Sequence, residues 1–275
     1  MIKRTPIISL FILTLSVAFC FGNISKVEAQ SVMGAKSISM GQAGVALPES
    51  EWSIFNNTAL LSTERNTVSF YGFRYVGISE ITDMAAAATV QTKAGTIGAG
   101  VHRYGFNLFH ENRFFLAYKN VKDRFHYGLS VSYNHVFQGK DYGSAAAFGL
   151  DLGLAAEITE SFWMGARATN VNQPSYGDTN EELPRELAAG LSFQPSSSAQ
   201  ITAEIVKDIN FPLSFRTGLE FEIFTSFFTR AGISTKPSTY AFGFGYGTER
   251  WAVNFALQQH NPLGMSPALD LSIRI

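Results

Sequence analysis

The chain has one cysteine among 275 residues, and that one, Cys20, sits inside the apolar run 7–21. Beyond it no thiol remains to build a disulfide framework, a zinc knuckle or a nucleophile. A lipid anchor on Cys20 is disfavoured by the bulky Phe19 before it, where a lipoprotein signal carries a small residue. Charge of one sign is lacking too, since 21 basic side chains face 22 acidic ones. That balance offers no field for a nucleic-acid partner. Past residue 29 no stretch approaches the roughly 20 consecutive apolar residues of a spanning helix, so passage through a membrane has to be made by strands.

Catalytic signatures are missing as well. The five histidines, His102, His110, His126, His135 and His260, form no His-Glu-x-x-His pattern and no ligand-spaced cluster, and no Gly-x-Ser-x-Gly elbow occurs. His126 shares a strand face with Ser130 and Ser132. Residues four apart along a strand are separated by roughly 13 Å at about 3.3 Å per residue, too far for a Ser-His hydrogen bond. "GFGYG" (243–247) imitates a nucleotide loop, yet its period is two and no helix follows. The expectation is a non-enzymatic protein that needs neither cofactor nor metal.

What is present begins with an address. Lys3 and Arg4 precede the apolar run, and Val27-Glu28-Ala29 offers a small-x-small cleavage site. Residues 1–29 therefore read as a signal peptide, with the mature chain starting near Gln30. An exported chain without disulfides reads as a bacterial envelope protein.

From residue 67 onward the hydrophobic period is two. In 212–224, Leu213, Phe215, Leu219, Phe221 and Ile223 share one face, opposite Ser214, Arg216, Gly218, Glu220 and Glu222. In "YAFGFGYG" (240–247) an aromatic stands at every even position and glycine or alanine at every odd one. Fourteen such segments start near Thr67, Thr82, Thr96, Arg113, Phe125, Ser144, Phe162, Arg185, Ala199, Pro212, Phe227, Tyr240, Trp251 and Ala268, the first two alternating less cleanly. An even number returns both ends of a barrel to one side. The links after the even-numbered strands are tight, whereas those after strands three, five, seven and thirteen are longer, the longest being 173–184 ("QPSYGDTNEELP"). Short turns on one side and longer loops on the other are the habit of outer-membrane barrels.

A soluble barrel has the same period with its apolar face turned inward. Here the less oily faces carry glycine and alanine where a soluble surface would carry Lys, Glu and Thr, and the other faces run to Phe, Tyr and Trp, which predicts contact with outer-membrane lipid. The fold class expected is all-β, a transmembrane antiparallel β-barrel of about 14 strands over 67–275. "ALDLSIRI", at the end of the chain, supplies a closing strand.

Between residues 30 and 66 the texture changes to closely spaced glycines without a period-two face. Gly34-Ala35-Lys36, then Met40-Gly41-Gln42-Ala43-Gly44-Val45-Ala46, then Asn56-Asn57-Thr58-Ala59-Leu60-Leu61 resemble the opening of FadL-like outer-membrane barrels, in particular the PorV/PorQ family. Thr58 and Leu60 stand where that opening usually has proline and glycine. "LPRELAAGLSFQP", "FPLSFRTGLEF" and "TRAGIS" are similar to the family's later strands. The resemblance implies a fourteen-stranded outer-membrane barrel whose N-terminal segment 30–66 folds back as a plug. It also implies one of two roles, as a partner barrel in type IX secretion or in uptake of hydrophobic molecules.

On this reading Gly41, Gly44, Asn56 and Asn57 belong to the plug, and Arg216, Glu220, Gly243 and Gly245 line the lumen beside it. The inward charges are of mixed sign, which suits ion pairs that fill the barrel better than a selective pore. Phe106, Leu108 and Phe109 would grease the outer mouth. Three roles stay open: a partner of secretion-system proteins, which is preferred here, a transporter of a small hydrophobic ligand, and an envelope scaffold.

Overall fold

The strand pattern closes on itself. In the computed structural model, which describes residues 32–78, 80–139, 143–177, 181–260 and 264–275, the strands are β1 (Thr67–Phe73), β2 (Thr82–Thr92), β3 (Gly95–Phe106), β4 (Phe109–Lys122), β5 (Phe125–Gln138), β6 (Ser144–Thr159) and β7 (Phe162–Ala168). They continue as β8 (Glu186–Ser196), β9 (Ala199–Asp208), β10 (Ser214–Phe224), β11 (Phe227–Thr235), β12 (Ser238–Gly247), β13 (Trp251–His260) and β14 (Gly264–Arg274). Each pairs antiparallel with its neighbours in sequence, and β14 pairs with β1 from Thr67↔Arg274 to Phe73↔Ala268. Closure leaves no sheet edge to be satisfied in lipid. The predicted signal peptide lies outside the described residues.

Alternation turns the oily face outward. Tyr240, Phe242, Phe244 and Tyr246 are exposed, while Ala241 is 1% exposed on the opposite face of β12. The connections after the even-numbered strands, 93–94, 123–124, 160–161, 197–198, 225–226 and 248–250, are all short and define a short-turn end. The opposite end carries the described residues of the connections 74–81, 139–143, 169–185 and 209–213. The expected longer link after the third strand is instead the two-residue turn 107–108, with Phe106 paired to Phe109. The ladder runs on through His110, Glu111 and Asn112 because polar side chains interrupt the oily pattern without interrupting backbone pairing. The long connection 169–185 brings Tyr176 and Leu183 onto Val136 of β5 and Ala147 of β6.

Residues 32–62 lie inside the barrel, in α1 (Ala35–Ser39), α2 (Ser53–Asn56) and a 3₁₀ turn (Thr58–Leu60), and 63–66 lead out to β1. Trp52, Ile38, Leu47 and Leu61 are all buried there. Such short helices are not self-supporting, so their order comes from the wall around them.

Candidate functional site: the lumen and its inner segment

The wall receives the inner segment on three pairs of glycines. Gly128 faces Gly153 across β5 and β6, Gly165 faces Gly190 across β7 and β8, and Gly218 faces Gly232 across β10 and β11. A Cβ on Gly128 would lie 2.5 Å from the Thr58 carbonyl carbon, and one on Gly190 would lie 2.7 Å from a Val45 methyl. On Gly218 it would meet Met40 Cβ at 2.5 Å, and on Gly232 the Gly41 Cα at 2.7 Å. At these points two strands give up both side chains so that another backbone can approach them. Gly41 completes the third contact with φ +67° and with Thr217 O 2.5 Å from where its own Cβ would stand. Gly44 lies against Asn56, whose Nδ2 is 3.1 Å from the corresponding position.

The two lumen glycines of "GFGYG" serve different neighbours. Gly243 backs onto Ser39 of α1. Gly245 does not, because the space over it is filled by the Arg230 guanidinium and by Asn254 Oδ1. A side chain reaching across from the neighbouring strands took the room that the alternation left open.

Polar contacts hold what the glycines admit. Asn57 Nδ2 donates to Val45 O at 2.7 Å and to Leu154 O at 3.1 Å, tying two stretches of the inner segment to β6. Its Oδ1 accepts from Ala59 N at 3.1 Å and caps the 3₁₀ turn, which is how the turn forms without the proline and glycine replaced by Thr58 and Leu60. Asn56 bonds Met33 from both ends of its amide and donates to Ser37 Oγ at 2.8 Å. Asn57→Ala removes two buried donors and a cap, a loss of about 1–3 kcal/mol. Faster proteolytic cleavage within 32–66 is the expected result, checked by mass mapping of the fragments.

Charges of both signs line the wall and meet in pairs or on the inner segment's backbone. Glu204 accepts from Val45 N at 2.9 Å and faces Arg216 at 3.5 Å. Glu220 takes Lys36 at 3.2 Å and also Arg230. Asp270 accepts from Ala35 N at 2.6 Å, so a barrel carboxylate satisfies the first turn of α1, which has no side-chain cap of its own. Lys119 reaches Leu61 O at 2.6 Å, and Arg274 reaches Glu51 at 2.6 Å. Of the lumen residues named from the sequence, Arg216 and Glu220 thus belong to two different anchoring networks.

On the β1 to β4 side the lining is aromatic, a feature the sequence reading missed. Tyr104 and Tyr75 stand 6.0 Å apart between ring centroids at the long-connection end, and Tyr75 meets Phe73 at 4.7 Å. Deeper in, Tyr71 meets Trp52 at 5.5 Å, Trp52 meets Phe55 at 6.0 Å, and Phe55 meets Phe115 at 5.0 Å. Tyr71, Phe73, Trp52 and Phe55 belong to one buried cluster, so an aromatic ladder descends from the mouth to the inner segment. The irregular alternation of the first two strands was its signal, since β1 turns aromatics inward as well as outward. Tyr75 donates to Asp83 Oδ2 at 3.3 Å, and burial, followed by the Asp83 charge, holds its phenol far above the ordinary value.

At the mouth, Leu108 is 69% exposed on the turn and Phe106 is exposed beside it. Phe109 instead turns inward and packs against the cluster of Val136, Ala147 and Tyr176, because it has become the first residue of β4. His126 lies edge-on to Trp163 at 4.9 Å, while Ser130 donates to Asp151 at 3.2 Å.

These features define a class, a closed fourteen-stranded antiparallel β-barrel with an oily outer face and residues 32–62 held in the lumen. Among solved structures the chain is similar to the Pseudomonas putida toluene transporter TodX, with a TM-score of 0.68, 14% identity and an alignment covering 90% of this chain and 98% of that one. It is also similar to a Pseudomonas aeruginosa FadL homologue, at TM-score 0.53, 10% identity, and 90% and 99% coverage. A third is the Acinetobacter baumannii outer membrane protein Omp33, at TM-score 0.52, 13% identity, and 77% and 98% coverage. At these identities the likeness is one of fold. No protein-family model and no curated protein matches the chain.

Proposed function

We propose that the barrel carries small hydrophobic molecules across the outer membrane and that residues 32–66 act as its plug. The aromatic ladder from Tyr104 and Tyr75 down to Trp52 and Phe55 carries this reading. It gives an apolar solute a series of ring faces to exchange between, in a lumen whose charges are otherwise engaged. The likeness to TodX and to a FadL homologue supports the same assignment. The PorV/PorQ and secretion-partner reading stands on the sequence motifs alone. Non-enzymatic action and export through a leader are part of the proposal.

The test is accumulation of labelled toluene by cells producing the protein, set beside cells that lack it. Several-fold faster accumulation is expected, and Tyr75→Asp with Phe115→Asp is expected to abolish the gain while the unboiled protein still migrates as a folded barrel. Equal accumulation with and without the protein would sink the proposal. Recovery with a secretion translocon from solubilised membranes would instead favour the secretion role.

A further inference from the structure

We infer that the outer wall over β5 to β11 carries a built groove for one anionic membrane lipid, with an acyl chain along the groove and the headgroup phosphate at Lys207 and Arg185. The wall is indented there by a cavity of about 880 Å³, and a second of about 380 Å³ shares its residues Leu154, Ala166, Ala189 and Ile205. The indentation follows the register. Ala156, Met164, Leu191, Ala203 and Thr217 are successive cross-strand partners, and so are Leu154, Ala166, Ala189, Ile205 and Phe215 in the next row. Each row includes small residues, so a trough runs between them with Leu154, Met164, Leu191 and Phe215 as its rim.

Side chains on one face two residues apart are separated by about 7 Å, room for a single hydrocarbon chain. From β5 to β11 the six inter-strand steps, at about 4.8 Å each, carry the trough roughly 29 Å obliquely across the tilted strands. An acyl chain fits this shape better than another barrel, whose wall would need a broad contact.

Charge chooses the lipid. The smaller cavity is lined at its long-connection end by Lys207, which faces outward opposite Leu187. Arg185 lies next to it, its carbonyl bonded by Ile209 N at 3.1 Å and its guanidinium 3.1 Å from the carboxylate of the exposed Glu182. Lys207 donates to Phe211 O at 2.6 Å, and an ammonium has three donors, so two remain for a phosphate. Apolar length ending in cationic donors at the membrane boundary is complementary to an anionic amphiphile.

Native mass spectrometry of the detergent-purified protein, with phosphatidylglycerol and phosphatidylcholine of identical chains, tests the site. Phosphatidylglycerol is expected to be retained roughly five-fold better, the size of one surface cation's attraction for an anionic lipid. Lys207→Gln with Arg185→Gln is expected to erase that preference and keep both lipids bound. Ala189→Leu with Ala203→Leu, which fills the trough, is expected to lose both, whereas Ala86→Leu on the outer face of β2 keeps them. Equal retention of the two lipids by the unsubstituted protein overturns the inference. So does a dimer that the trough-filling pair abolishes, since the face would then belong to a second copy.

Discussion

Gly232→Val is expected to unseat the inner segment while leaving the barrel closed. Valine suits a strand, so assembly of β11 has no local objection to it. The objection comes from inside, where the Cβ would stand on the backbone of Met40 and Gly41, with Gly41 Cα at 2.7 Å. Overpacking of this kind costs about 1–3 kcal/mol, equivalent to roughly a five-fold to hundred-fold rise in the displaced fraction. The neighbourhood has little slack, because Gly218 across the strand pair abuts Met40 too and α1 is pinned through Ala35 to Asp270. Protease access to residues 32–66 reports the displacement, and heat modifiability on a gel reports the barrel. Gly72→Val is the control, since a Cβ there meets nothing within 4 Å. Indistinguishable protease protection in the two variants would mean that the glycine pairs do not set the seat.

The second large effect is expected from Arg167→Met. The guanidinium is buried and donates to Asn56 O at 2.7 Å, to Phe55 O at 3.3 Å and to Glu186 at 2.8 Å. It therefore closes the carbonyl end of α2 and balances a wall carboxylate at once. Removing one member of such a buried pair costs about 3–5 kcal/mol, far more than the pair adds relative to an apolar replacement. The urea concentration at which the folded gel band disappears should fall sharply. Arg167→Lys should fall in between, since an ammonium keeps the charge and loses the fork that reaches two carbonyls and a carboxylate together. Adding Glu186→Leu to Arg167→Met should recover part of the loss by removing the buried acid. An unchanged midpoint in Arg167→Met would remove the anchoring role assigned to this network.

Most strand starts were legible because alternation is strictly local, and β5, β6, β7 and β9 begin where the pattern first turns regular. β4 and β14 begin earlier than the oily pattern does, at Phe109 and Gly264, because hydrogen bonding between strands is indifferent to whether His110 or Met265 looks like part of a barrel. The face of a residue was legible too, as Arg216 and Glu220 are buried on the inner face and Gly243 lies against Ser39. What lies opposite that face was not. Gly243 and Gly245 are equivalent in sequence, yet one meets Ser39 and the other Arg230. Phe109 reads as a loop residue and becomes part of an inner apolar cluster once its strand is extended.

By itself the sequence determined the number of strands, their direction toward lipid or lumen, the short-turn end, and a segment 30–66 unlike the rest. All of these follow from period, sign and spacing along the chain. Only the tertiary structure decided the register, and with it the three glycine pairs, the aromatic ladder and the oblique trough on the outer wall. Those features are made of residues on different strands, and a strand's pattern says which way a side chain points without saying which residue of the next strand will stand beside it.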